Sequence, residues 1–261
     1  MKIAVLTIPS QKHRLWALGG HLFTLGFPIK SNRFNIYSGF DYKDYPTRES
    51  ALIEMVADGH TKYADYLESE NEVLLNLDSH LDMCEWGMLN IMRKIVETNT
   101  FTMVMENDAY FRNVPVQDPI DSFPFFVEKF YDLRDAVGYK NINVAMFTVI
   151  RPDLDYRLSQ MTNYEDIDGF WVKGARGPGQ TCNIYTPHGA EYILNQKSPY
   201  PNIEAYLFFG DTPNDDYVEI PGVYSTKEGM INLHFFSNFD SPHVTDSDAN
   251  HYIDKFKGEQ L

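Results

Sequence analysis

Cysteine is scarce in this sequence: Cys84 and Cys182 are the only two among 261 residues. Two thiols build neither a disulfide framework nor a zinc cluster, and a reduced intracellular protein is the simplest expectation. Long hydrophobic runs are missing as well. None approaches the roughly 18 apolar residues of a membrane span. The apolar part of the opening "MKIAVLTIPSQKHRLW" is too short for a signal peptide and reads as a first strand. Positive charge is thin, with 22 Lys and Arg against 37 Asp and Glu and a formal net charge of −15. Such a surface repels polyanions at long range, and the basic stripe of a dedicated nucleic-acid binder is absent. There are no repeats, low-complexity segments or convincing linkers.

What is present is a globular composition, 43 % hydrophobic and 15 % aromatic. A chain of this length buries about 75 % of its unfolded surface, so its core needs no covalent staples. We expect one domain over 1–240 and a polar tail over 241–261. "KIAVLTI" (2–8) predicts a buried strand. Ser10 then stands where it could cap a helix through Leu15, Trp16, Leu22 and Phe23. "RFNIY" (33–37) predicts a second strand. "TRESALIEMVADGHTKYADYL" (47–67) predicts a helix capped by Thr47, and "EVLLNL" (72–77) a short apolar strand. "SHLD" (79–82) has the capping-box pattern. Beyond it Leu81, Cys84, Met88, Ile91 and Ile95 fall on one helical face. Later segments predict a helix within 118–139, a strand at 143–150, a Gly-rich loop leading to a strand over 171–186, and a helix over 186–195 begun by Thr186 and Pro187. Alternating strands and helices predict a mostly parallel α/β sheet with helices on both faces.

The segment "FTMVMENDAYF" (101–111) stands out. An apolar strand runs directly into Glu106 and Asp108. In an extended chain residues two apart point the same way, and two adjacent carboxylates need a positive partner. A hard divalent cation, Mg²⁺ or Mn²⁺, is the usual one, held by one or two carboxylates, water and phosphate. The C-terminal end of a strand in an open α/β sheet is where ligands bind. A solvated Asn-Asp turn is the plainer alternative.

The order "LDSHLDMCEWGMLNIMRKIVETNTFTMVMENDAYF" (77–111) resembles the family 25 glycosyltransferases, the lipooligosaccharide and collagen galactosyltransferase type. The likeness rests on Ser79, His80, Glu106, Asp108 and Ala109, with Asn107 where the family has Asp. "GQTCNIYTPHGAEYIL" (179–194) and "IAVLTIPSQKHR" (3–14) are similar to two further family segments. The resemblance implies a GT-A-like, Rossmann-like fold and a metal-dependent transfer of sugar from a nucleotide-diphosphate donor, UDP-linked by preference, to an acceptor hydroxyl. It implies that the metal is held by Glu106 and Asp108 together or by Asp108 alone, with His234 as a further ligand and His243 behind it. Thr7, Ser10, Arg14, His80, Glu106 and Gln180 would line the donor site. Arg14, Lys173 and Arg176 are the candidate cations for its phosphates. Glu204, Asp215 and Asp216, with Asp211, are the candidate general bases.

The plainer readings are a core histidine at His234, surface acids on the loops, and an ordinary connection in "GARGPGQ" (174–180), which lacks the P-loop spacing. The expected acceptor is a glycan. Hydroxymethylated bases in DNA are the second choice, and a viral or bacterial enzyme in the cytoplasm is the expected setting. Rivals of other classes are a non-catalytic sugar- or nucleotide-binding protein, favoured by Asn107, and a metal-dependent phosphoesterase.

Overall fold

The computed structural model describes residues 1–41, 44–60, 79–112, 114–147, 165–173, 181–195, 221–228 and 230–233. The chain opens with β1 (Lys2–Thr7) and, after a 3₁₀ turn at Pro9–Gln11, continues into α1 (Lys12–Thr24). It continues through β2 (Phe34–Ser38), α2 (Arg48–Ala57), α3 (Ser79–Thr98), β3 (Thr102–Glu106) and the short β4 (Ala109–Phe111). The remaining elements are α4 (Ser122–Val137), β5 (Val144–Met146), β6 (Glu165–Asp166), β7 (Trp171–Lys173), β8 (Cys182–Tyr185), α5 (Pro187–Asn195), β9 (Val223–Thr226) and β10 (Ile231–Leu233).

Eight strands form one sheet in the order β2-β1-β3-β8-β5-β9-β7-β6, and β4 pairs with β10 in a separate ribbon. The architecture is mixed α/β, and the expected predominance of parallel strands is corrected. Among the described residues only β1–β2, β1–β3 and β5–β9 run parallel. The pairs β3–β8, β5–β8, β6–β7 and β7–β9 run antiparallel. The strands with antiparallel neighbours alone, β6, β7 and β8, are two to four residues long, which is too short to show a side-chain period in the sequence.

Strand alternation sends the side chains to two cores. Ala4, Leu6, Val104, Met146 and Tyr185 pack beneath α2, α3 and α5 with Leu52, Met88 and Ile193. Ile3, Val5, Met103, Met105 and Ile184 pack beneath α1 and α4 with Leu22, Phe126 and Phe130. Because helices cover both faces, β3 is buried along nearly its whole length rather than alternating. Two glycines set close contacts. A Cβ on Gly87 would lie 2.7 Å from a Leu6 methyl, so its absence brings α3 onto β1. A Cβ on Gly189 would lie 2.0 Å from the Asn143 carbonyl oxygen, so glycine there lets α5 close onto the start of β5.

The caps fall partly where expected. Thr47 accepts from the Ser50 amide at 3.1 Å, and Thr186 accepts from the Gly189 amide at 2.9 Å. Ser10 is not a cap. Its hydroxyl donates to Asp41 Oδ2 at 2.9 Å, and Gln11 occupies the cap position. The helix that begins at Arg48 stops at Ala57, because Gly59 takes a left-handed φ of 88°. The strand expected at 72–77 lies outside the described residues. No helix among the described residues is long and apolar enough to cross a membrane.

Candidate functional site

The parallel strands β2, β1 and β3 end on one edge of the sheet. From β1 the chain turns to β2 on one side, whereas β3 lies on the other. The ends of β1 and β3 therefore form a topological switch point, where open α/β sheets leave a crevice. Thr102, Met103, Val104 and Met105 are all buried, and exposure begins at Glu106. Asn107 and Asp108 form a turn that leads into β4.

Asn107 is only 6 % exposed. Its Nδ2 donates to Thr7 Oγ1 at 2.9 Å and to Gln11 Oε1 at 2.8 Å. The Thr7 hydroxyl donates in turn toward the Ile8 carbonyl at 3.5 Å. Asp108 Oδ2 lies 4.0 Å from the Arg14 guanidinium, and both side chains are largely covered. Thr7, Arg14 and Asp108 thus lie at the same end of the sheet. Ser10 belongs to the same connection and ties it to Asp41 beyond β2.

The expectation that Glu106 and Asp108 point the same way is corrected, because the chain is not extended between them. Glu106 ends β3 two residues after Val104, which faces α3, and its charge acts on the Tyr185 hydroxyl. Asp108 faces Arg14 of α1, across the sheet edge. Among the described residues no group of three His, Cys, Asp or Glu side chains could hold a metal ion.

The start of α1 has a distinctive electrostatic arrangement. A helix N-terminus exposes unpaired N–H groups and the positive end of the helix dipole. Acids normally occupy the first turn. Here the first turn has no acid and reads Lys12-His13-Arg14, and the Gln11 side chain makes no cap. A sequence signal stands behind this that the motif reading missed. Residues 1–40 carry Lys2, Lys12, Arg14, Lys30 and Arg33 and no Asp or Glu, so the entire acidic surplus follows them.

Two further groups escaped the sequence reading. Glu85 is 1 % exposed on the sheet side of α3. It shares the apolar stripe with Leu81 and Met88, and an acid within such a stripe was the available clue. Burial pushes the Tyr185 hydroxyl well above the usual tyrosine range, against the bond it accepts from Asn183 at 3.2 Å, and the charges of Glu85 and Glu106 add to the rise. His21 is the second. Its Nε2 accepts the Phe111 N–H at 3.0 Å, and its ring stacks on Tyr110 at 3.8 Å and 17°. It fastens β4 to α1. Partners on elements 90 residues apart leave no local pattern.

Lys173 is not gathered into this site. It lies on β7, five strands from β1 and so about 24 Å across the sheet at the usual strand spacing. Ser79 and His80 begin α3, and their side chains are not described. Leu233, paired with Ala109, is the last described residue of β10, and His234 follows it in the chain. His234, His243, Gln180, Arg176, Glu204, Asp211, Asp215, Asp216 and the 241–261 tail lie outside the described residues. No protein-family model matches the sequence, and no curated protein matches it significantly.

Proposed function

We propose that the chain is a glycosyltransferase of GT-A-like organisation, with its nucleotide-sugar donor, a UDP-sugar first, bound at the ends of β1 and β3. The observation that carries this reading is the pairing of Asp108 with Arg14 at the uncapped, acid-free start of α1. A site of that kind offers a carboxylate to a cation, and a guanidinium beside the positive end of a helix dipole to phosphate oxygens.

The reading includes a Mn²⁺ or Mg²⁺ ion. Such ions take one or two carboxylates and complete their shell with phosphate and water, so the lack of a three-residue cluster among the described residues is compatible with one. Asp108 would hold the ion without Glu106, which is turned toward Tyr185, and His234 is the residue to complete the set. The ion would offset the charge that grows on the departing diphosphate.

The protein's own groups have separate tasks. Arg14 binds the phosphates, and Thr7 and Ser10 shape the loop beside them. In the reaction the acceptor oxygen bonds to the anomeric carbon as the bond from that carbon to phosphate breaks. The hydroxyl proton passes to a carboxylate, for which Glu204, Asp215 and Asp216 remain the candidates, and the nucleoside diphosphate leaves. A glycan acceptor is preferred over hydroxymethylated DNA, because the acidic surplus outside residues 1–40 repels a polyanion.

The test is thermal unfolding with a panel of nucleoside diphosphates, with and without Mn²⁺, on the wild type and Asp108→Ala. A ligand at about a hundred times its Kd adds roughly 2.7 kcal/mol. We expect stabilisation by one nucleotide that needs metal and disappears in Asp108→Ala. No stabilisation by any nucleotide would overturn the transferase reading.

A further inference from the structure

We infer that Asn107 is a positioning residue for Asp108, not a metal ligand lost by substitution; the inference rests on the donor-site reading above. An uncharged residue between Glu106 and Asp108 would on its own suggest a degenerate site. The geometry gives it another task. An amide Nδ2 has two N–H donors, and an ionised carboxylate has none. Both donors of Asn107 are used, one on Thr7 Oγ1 and one on Gln11 Oε1, by a side chain that is 94 % buried. The Thr7 hydroxyl oxygen accepts one of the two N–H bonds at 2.9 Å.

The turn that presents Asp108 therefore hangs from two points on the β1–α1 connection, 100 and 96 residues away in the chain. Arg14 belongs to that same helix, three residues past Gln11. The clamp accordingly sets the separation of Asp108 from Arg14, and with it the gap that a cation and a diphosphate would share. An aspartate at 107 would put a third carboxylate into a turn that already has two, and an ionised carboxylate would donate neither of the two bonds that Asn107 makes. Such contacts behind a metal ligand hold it in orientation, and their loss weakens metal binding without removing a ligand.

The experiment is calorimetric titration of Mn²⁺ alone, and of UDP in the presence of Mn²⁺, into the wild type, Asn107→Asp, Asn107→Ala, Gln11→Leu and the Asn107→Ala/Gln11→Leu double variant. We expect both Asn107 variants to bind Mn²⁺ about tenfold or more weakly, the lower end of outer-contact effects. Gln11→Leu should act in the same direction but less, because the Thr7 bond survives. The double variant should bind no more weakly than Asn107→Ala, since donor and acceptor of one bond count once. The electron paramagnetic resonance spectrum of bound Mn²⁺ should change in Asn107→Ala, a signature that a purely structural role would leave alone. Tighter Mn²⁺ binding by Asn107→Asp would mean that a ligand had been restored, and would overturn the inference. Additive losses in the double variant would overturn it as well. Gln11 is only partly buried, so Gln11→Leu carries the test if an Asn107 variant does not fold. A wild type that binds neither Mn²⁺ nor UDP overturns the donor reading and this inference with it, whereas a binding wild type with unchanged variants overturns the inference alone.

Discussion

The two halves of the sheet are built on different rules. Among the described residues, the strands β2-β1-β3 pair in parallel, while in the rest of the sheet only β5 and β9 do. Parallel neighbours need a crossover, so each of these strands is separated from the next by a helix long enough to read in the sequence. Parallel strands also end together. That is why Thr7, Gln11, Arg14, Asn107 and Asp108 converge although about a hundred residues separate the two groups. The mixed half needs no crossover at each step and sends its strand ends in both directions. Lys173 accordingly sits far from Arg14, although both were equivalent cations in the sequence.

The largest effect we expect tests whether the halves are energetically separate. Phe126 of α4 is fully buried, with its ring 4.9 Å from Phe111, 4.9 Å from Phe147 and 6.4 Å from Phe27. Phe27 follows α1 on the parallel side, and Phe147 follows β5 on the mixed side. One ring thus ties both halves to a shared core. Phe126→Ala should cost about 3–5 kcal/mol. If the core is shared, urea unfolding keeps a single transition at lower midpoint by both fluorescence and circular dichroism. Two separated transitions would show that the halves unfold on their own.

The next effect contrasts the two cations directly. Arg14→Ala should weaken UDP binding in the presence of Mn²⁺ about tenfold to a hundredfold, the scale of a lost hydrogen bond to a charged group. Lys173→Ala should leave that binding unchanged, and neither variant should shift the melting temperature much. Equal losses in the two variants would mean that the sheet edge is not where the diphosphate sits.

How much of this was legible follows the same division. β1, β2, α2, α3, β3 and α5 were readable from apolar spacing and from caps such as Thr47 and Thr186, because each signal lies within a few residues. The three-residue strand β5 was placed only inside a longer segment, β7 was read as part of a Gly-rich loop, and the antiparallel pairing of β8 with β3 was not read at all. Pairing direction depends on which edge a returning chain reaches, and no local residue encodes that. In the site, the turn at Glu106–Asp108 was visible as chemistry, but its shape was not. Alternation predicted parallel carboxylates, and the clamp from Asn107 to Thr7 and Gln11 turned them apart. Glu85 was overlooked because a helical stripe was judged by its apolar members alone.

The smallest effect sharpens the comparison from the parallel side. Asp58 closes α2 and accepts the Trp86 indole N–H at 2.8 Å, with His60 at 3.7 Å and Arg93 at 3.8 Å from the same oxygen. The Trp86 bond, followed by Asn90, His60 and Arg93, holds the Asp58 carboxyl below its ordinary value of 3.8 against the opposing effect of burial. A carboxyl depressed in the folded state adds stability that is complete above the unfolded value and is lost as pH falls through the folded one. The side chain is 44 % exposed, so screening keeps the contribution small, below about 1 kcal/mol. Urea unfolding should therefore lose stability between neutral pH and pH values under 3.8, and Asp58→Asn should narrow that loss. The neutral amide oxygen still accepts from Trp86, so the variant removes the titration while keeping the bond. An undiminished pH dependence in Asp58→Asn would assign the acid sensitivity to other carboxylates and leave the α2–α3 contact to packing alone, through Leu52, Met55 and Met88.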